Sequence, residues 1–176
     1  GWVVQGPYVQ KFEKQWSDFT KAKESIAVTS CTTALHLSLS ALGFGRGDEA
    51  IVPAFTWIST ANVVEHLGGH ARFCDINPET YNMEPNLIES LITENTKAIL
   101  PVHLFGLSAD MDKIIEIANK HNLMIVEDAA QSIGSKYKNN FSGSFGHIGC
   151  FSTHPLKNLN ACGDSGFITT NDESFY

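Results

Sequence analysis

The chain has 176 residues, 43% hydrophobic and 18% charged, with no low-complexity tract, which suits one well-packed domain. A net charge of −7 without a basic stripe argues against a nucleic-acid partner. A phosphorylated small molecule stays possible, because helix N-termini and hydroxyls bind phosphate locally. No signal-peptide pattern is present, and no apolar run approaches the roughly 18 residues that span a bilayer.

Cys31, Cys74, Cys150 and Cys162 form no CxxC pair and no metal-ligand spacing. They read as buried reduced thiols, which suit a reducing cytoplasm. The chain opens at Gly1 without an initiator methionine and closes at Tyr176 just after a strand pattern, so a piece of a longer protein is expected.

In chain order, Ser25 to Thr29 reads as a buried strand and Thr32 to Leu42 as a helix, closed by the glycines of Gly43 to Asp48. A strand over Glu49 to Pro53 precedes a helix over Ser59 to Leu67, and His70 to Cys74 is a third strand. Glu84 to Ile92 reads as helical, Lys97 to Val102 as a strand, and Asp110 to His121 as an amphipathic helix. Leu123 to Val126 and Gly166 to Thr170 are further strands, and Asn139 to Gly143 is a surface turn. Alternating strands and helices with continuous apolar strands predict a largely parallel sheet covered on both faces, in one domain.

Ligands in such sheets collect at the carboxyl ends of strands. Four segments place polar residues there, and each has a plain structural alternative. Thr29-Ser30-Cys31-Thr32-Thr33 suits a phosphate at a helix N-terminus, or is simply an N-cap. Trp57, in Pro53-Ala54-Phe55-Thr56-Trp57, could lie flat on an aromatic cofactor, or anchor the surface. Glu127-Asp128-Ala129-Ala130-Gln131 is an acidic strand end or an N-cap. Lys157, in Phe151-Ser152-Thr153-His154-Pro155-Leu156-Lys157-Asn158, is a solvated lysine or a desolvated nucleophile.

Taken together, one lysine and one aspartate at strand ends can build a site for pyridoxal 5′-phosphate (PLP). Lys157 would hold the aldehyde as a Schiff base and Asp128 would face the ring nitrogen. A carboxylate about 4 Å from that nitrogen, at an effective dielectric of about 20, contributes roughly 4 kcal/mol, enough to keep it protonated at neutral pH.

The order of these segments resembles the DegT/DnrJ/EryC1/StrS family of PLP-dependent nucleotide-sugar aminotransferases. The likeness runs from Gly6-Pro7-Tyr8-Val9 and Phe12-Glu13 through Val102-His103-Leu104-Phe105-Gly106 to Gly163-Asp164-Ser165-Gly166, essentially the whole chain. It implies an α/β fold: the three-layer α/β/α large domain of fold type I (aspartate aminotransferase-like), spanning 1–176, without the C-terminal small domain.

The resemblance further implies that Lys157 and Asp128 are catalytic, with Gln131 beside the cofactor's ring oxygen. Trp57 would stack on the ring, and Thr32, Thr33 and Ser152 would hold the phosphate. Gly6 and Pro7 match a segment near the sugar. His103 and His154 match motif positions to which no role is given. The expected partners are a nucleotide-sugar, an amino-acid donor and a second copy in a homodimer.

Two positions depart from the family's usual Gly-Glu-Gly-Gly: Asp164 shortens an acidic side chain, and Ser165 adds a Cβ where glycine gives backbone freedom. Two other functions compete. Sugar dehydratases on this scaffold carry histidine in place of the lysine, which Lys157 argues against. A non-catalytic remnant is opposed by the presence of both Lys157 and Asp128. A nicotinamide site fails for want of GxGxxG after the first strand.

Overall fold

The computed structural model describes residues 5–175. The readings made on Gly1 and Tyr176 lie outside them.

Helix α1 (Pro7–Thr20) comes first. Then follow β1 (Glu24–Val28), α2 (Cys31–Ala41), β2 (Glu49–Pro53), α3 (Ser59–His66) and β3 (His70–Cys74). Next are α4 (Pro85–Ile88), which runs on as a 3-10 turn over Glu89–Leu91, and β4 (Thr96–Ile99). Another 3-10 turn, Leu104–Gly106, leads to α5 (Met111–His121) and β5 (Met124–Asp128). A small hairpin, β6 (Lys136–Tyr137) and β7 (Asn140–Phe141), precedes β8 (Ile148–Ser152) and β9 (Gly166–Thr170).

Seven strands form one sheet in the order β1-β9-β8-β5-β4-β2-β3. All are parallel except β9, which is antiparallel to both of its neighbours. Side-chain alternation divides the sheet's two faces. Ala50, Val52, Ala98, Leu100, Val126, Ile148 and Cys150 pack with α2 and α3. Ile51, Ile99 and Ile125 pack with Met111 and Ile114 of α5 on the opposite face. This is the three-layer α/β/α arrangement expected.

Helix α1, strand β8 and the short hairpin β6–β7 went unread in the sequence. Helix α1 is mostly polar, but Phe12, Trp16 and Phe19 recur at helical spacing. Trp16 lies 4.1 Å from Phe167 and 5.9 Å from Phe151 between ring centroids, so α1 covers the second face over β8 and β9. Its Glu13 accepts the Ala27 N–H at 2.9 Å, tying it to β1. Strand β8 contains Gly149, a weak strand former. A Cβ there would lie 2.0 Å from the Gly143 carbonyl oxygen, so the glycine reflects a close approach of backbone.

The predicted strand over Lys97 to Val102 is shorter, with Val102 returning only as a single bridge to Asp128. Three of the four cysteines are buried, as expected; Cys162 is exposed because it lies in the loop between β8 and β9. Among the described residues no helix is long and apolar enough to cross a membrane.

Candidate active site

A cleft of about 570 Å³ opens at the carboxyl ends of β2, β5 and β8. Strand β9 runs the other way, so its start reaches the same edge and brings Asp164 and Ser165 into the wall. Thr32, Trp57, Asp128, Gln131, Ser152 and Lys157 all line this cleft. Thr33 stands behind it. Its hydroxyl is 3.0 Å from those of both Ser30 and Thr29, and its N–H donates to Ser30 Oγ at 3.1 Å, completing the cap of α2.

The two adjacent acids at the end of β5 point to opposite faces, as neighbours in a strand must. Asp128 turns toward α2 and α3 and is 5% exposed. Its Oδ2 accepts from Thr60 Oγ1 at 2.7 Å, and its Oδ1 from the Ala130 N–H at 3.1 Å. Cys31 Sγ is 3.8 Å from the same Oδ1. Burial first, and then the nearby Asp128, push the Cys31 thiol well above its ordinary range, so it stays protonated and can donate. Glu127 turns away from the cleft and is fully buried.

Thr60 and Cys31 are site residues that sequence reasoning missed. Thr60 sits in the first turn of α3, fully buried, where its hydroxyl reaches Asp128 from behind the cleft wall.

Lys157 lies beyond the end of β8 in a turn closed by its own N–H donating to the His154 carbonyl at 2.8 Å. The His154 ring accepts the Leu156 N–H at Nδ1 (3.1 Å) and faces Asp164 Oδ1 through Nε2 (3.5 Å). Thr153 N–H donates to the Ser165 carbonyl at 2.9 Å, joining both ends of the loop. Among the described residues no carboxylate pairs with the Lys157 amine, which is therefore open to a ligand in the cleft.

Trp57 is 71% exposed although it borders the cleft, so its ring face is open. Gln131 Oε1 accepts the Phe105 N–H at 2.8 Å, which leaves its amide N–H groups for the cleft. At the departing positions, Ser165 does not adopt the left-handed backbone that would call for glycine. Gly166, which is retained, is the position with no room. A Cβ there would lie 2.6 Å from both the Phe151 carbonyl oxygen and the Ser30 carbonyl carbon.

The model of the DegT/DnrJ/EryC1/StrS aminotransferase family matches residues 1–176, the whole chain. The chain belongs to this family.

It is 46% identical over 173 residues to the spore coat polysaccharide biosynthesis protein SpsC of Bacillus subtilis, covering 98% of this chain and 44% of that protein. It is 45% identical over 173 residues to GDP-perosamine synthase of Caulobacter vibrioides, covering 98% and 46% respectively. The solved structure of NtdA from Bacillus subtilis with bound cofactor PMP superposes with a TM-score of 0.93 at 42% identity, covering 97% of this chain and 38% of that one. The chain spans less than half the length of the curated relatives it matches.

The residues in the cleft of this family member fit PLP. Among the described residues the Cys31 and Thr32 N–H groups that open α2 have no acceptor, whereas those of Thr33 and Ala34 are taken by Ser30. The two free amides beside Thr32 and Ser152 offer a seat for a phosphate dianion. Asp128 is buried with donors on both oxygens, yet borders the cleft where a ring nitrogen cation can meet it. Trp57 offers an aromatic face and Lys157 an unpaired amine.

Proposed function

We propose that residues 1–176 form the PLP-binding large domain of an aminotransferase that moves an amino group, from glutamate, to a keto carbon of a nucleotide-linked deoxysugar. The pathway class is surface-polysaccharide, lipopolysaccharide or secondary-metabolite biosynthesis, and the setting is the cytoplasm. The observation that carries the reading is that Lys157, Asp128 and Trp57, distant in sequence, border one cleft.

Each residue has a physical task in that reaction. PLP, when bound, supplies an electron sink for charge that develops on the reacting carbon. The Lys157 amine, which borders the cleft, would hold the cofactor and would serve as the base that takes and returns the proton at that carbon. Asp128 holds the ring nitrogen's proton, and Thr60 and the Ala130 N–H keep its carboxylate in place. Thr32, Ser152 and the amides opening α2 hold the phosphate, with Thr33 bracing the cap. The Trp57 ring covers one ring face and excludes water.

A second copy completes the site in this reading. Phe55, Tyr81 and Phe105 form an exposed row beside the cleft, with ring centroids 5.8 and 6.5 Å apart. Exposed apolar rows of this kind support association. A smaller second domain, within the additional length of the relatives, would close the cleft from the other side.

Lysine at 157, rather than histidine, favours transamination over sugar dehydration. The test is to incubate the purified protein with PLP, glutamate and a panel of nucleotide-linked keto-sugars, and to follow 2-oxoglutarate and the aminated sugar by mass spectrometry. Amino-sugar formed in step with 2-oxoglutarate supports the reading. A deoxygenated sugar without nitrogen would replace it with dehydration.

A further inference from the structure

The buried acid behind the cleft has no part in the chemistry above, yet it is held by more donors than any group in the cleft. Glu127 and His103 are both fully buried, with His103 Nε2 2.8 Å from Glu127 Oε2. The same carboxylate accepts three backbone N–H groups: Gly143 at 2.7 Å, Phe145 at 2.7 Å and Gly146 at 2.5 Å. The other ring nitrogen, His103 Nδ1, accepts the Ala109 N–H at 3.1 Å and lies 3.4 Å from Ser108 Oγ. An acceptor at Nδ1 fixes the tautomer, so the ring carries its proton on Nε2 and donates it to Glu127.

These bonds lock the loop at residues 101–109 against the end of β5. Asp128 N–H donates to the Pro101 carbonyl at 2.9 Å, and His103 N–H donates to the Asp128 carbonyl at 3.0 Å. Farther along, Phe105 N–H, at a residue with φ of 55°, donates to Gln131 Oε1. The backbone on both sides of the Asp128 carboxylate is thereby tied to the loop that the pair holds.

We propose that Glu127 and His103 act as a positioning pair, setting Asp128 and Gln131 toward the cofactor ring from the far side of the sheet. The proposal rests on the reading that PLP occupies the cleft. His103 holds the loop and Glu127 holds both the loop and the turn at Gly143–Gly146, while neither touches a reacting atom. A buried network of this kind acts only when every member is satisfied, so one lost partner loosens the whole.

The test uses the purified protein reconstituted with PLP and three variants. His103→Phe removes both ring bonds, Glu127→Gln turns an acceptor into a donor against the N–H groups, and His103→Gln can offer an acceptor to Ala109 and a donor to Glu127. PLP affinity, the pH titration of the bound cofactor's absorbance and the yield of borohydride adduct on Lys157 are read for each. His103→Phe and Glu127→Gln are expected to bind PLP about ten-fold more weakly, with a shifted absorbance titration, and His103→Gln to recover most of the loss.

Affinity and titration unchanged in a folded His103→Phe protein overturn the proposal alone. Absence of a Lys157 adduct in the unaltered protein overturns the cofactor reading and the proposal with it. If neither lesion folds, amide exchange in the unaltered protein decides. Protection of the His103 and Asp128 N–H groups equal to that of Val126 supports the lock, and faster exchange there overturns it.

Discussion

Thr60 makes the shortest contact with the buried Asp128 carboxylate, at 2.7 Å. Valine fills the same space without the hydroxyl, so Thr60→Val should leave the fold intact but free one carboxylate oxygen to rotate. PLP binding is expected to weaken by about ten-fold, read by titrating the protein with cofactor and following absorbance. Unchanged affinity would mean that the Ala130 N–H and the Cys31 thiol suffice to hold Asp128. The family resemblance points to Asp128 rather than Glu127 at the cleft, while strand alternation alone leaves open which of the two is the inward residue. Strand alternation sends them to opposite faces, but only the positions of α2, α3 and the Gly143–Gly146 turn decide which face is the cleft.

At the scale of elements, the start of α2 is seated by Gly166. Adding one methyl group there meets backbone at 2.6–2.8 Å on three atoms, none of which can rotate away. Gly166→Ala is expected to destabilise the fold by about 2 kcal/mol, whereas Gly163→Ala, which meets nothing within 4 Å, should stay within about 0.5 kcal/mol. Urea unfolding of both variants measures the contrast, and equal stabilities would contradict it. A second element-scale prediction concerns His147, whose Nδ1 accepts the Ile125 N–H at 3.0 Å and so pins the turn before β8 to β5. Burial, partly opposed by Asp172, holds this imidazole below its ordinary range. The unfolded chain therefore binds the extra proton more readily, so the stability from His147 is complete above pH of about 6.5 and is lost as pH falls below it. Thermal unfolding at stepped pH should show this decline in the unaltered protein and a flatter profile in His147→Gln. Identical profiles would remove His147 from the account.

At the scale of the whole molecule, the parallel sheet and its two covered faces were legible because the strands are short apolar runs separated by helical periods. The order of the sheet was not legible. Strand β9 is last in sequence but lies between β1 and β8, and only this reversal brings Asp164 and Ser165 to the cleft. Helix α1 escaped notice because its apolar residues are sparse, and their partners, Phe151 and Phe167, lie far along the chain. Six of the seven anticipated site residues border one cleft. They are legible through the order of the motifs rather than through periodicity, since β8 does not read as a strand and Lys157 lies in a turn beyond its end. Thr33 stands behind it because one step along a helix turns a side chain by about 100°, which no motif reveals.

The central claim is that Lys157 bonds to PLP in this cleft. Incubating the purified protein with PLP, reducing with borohydride and mapping the labelled peptide tests it most directly, with Lys157→Ala as the control. The account predicts a pyridoxyl group on Lys157 and its loss in Lys157→Ala. Label spread over several exposed lysines, or label undiminished in Lys157→Ala, would contradict it.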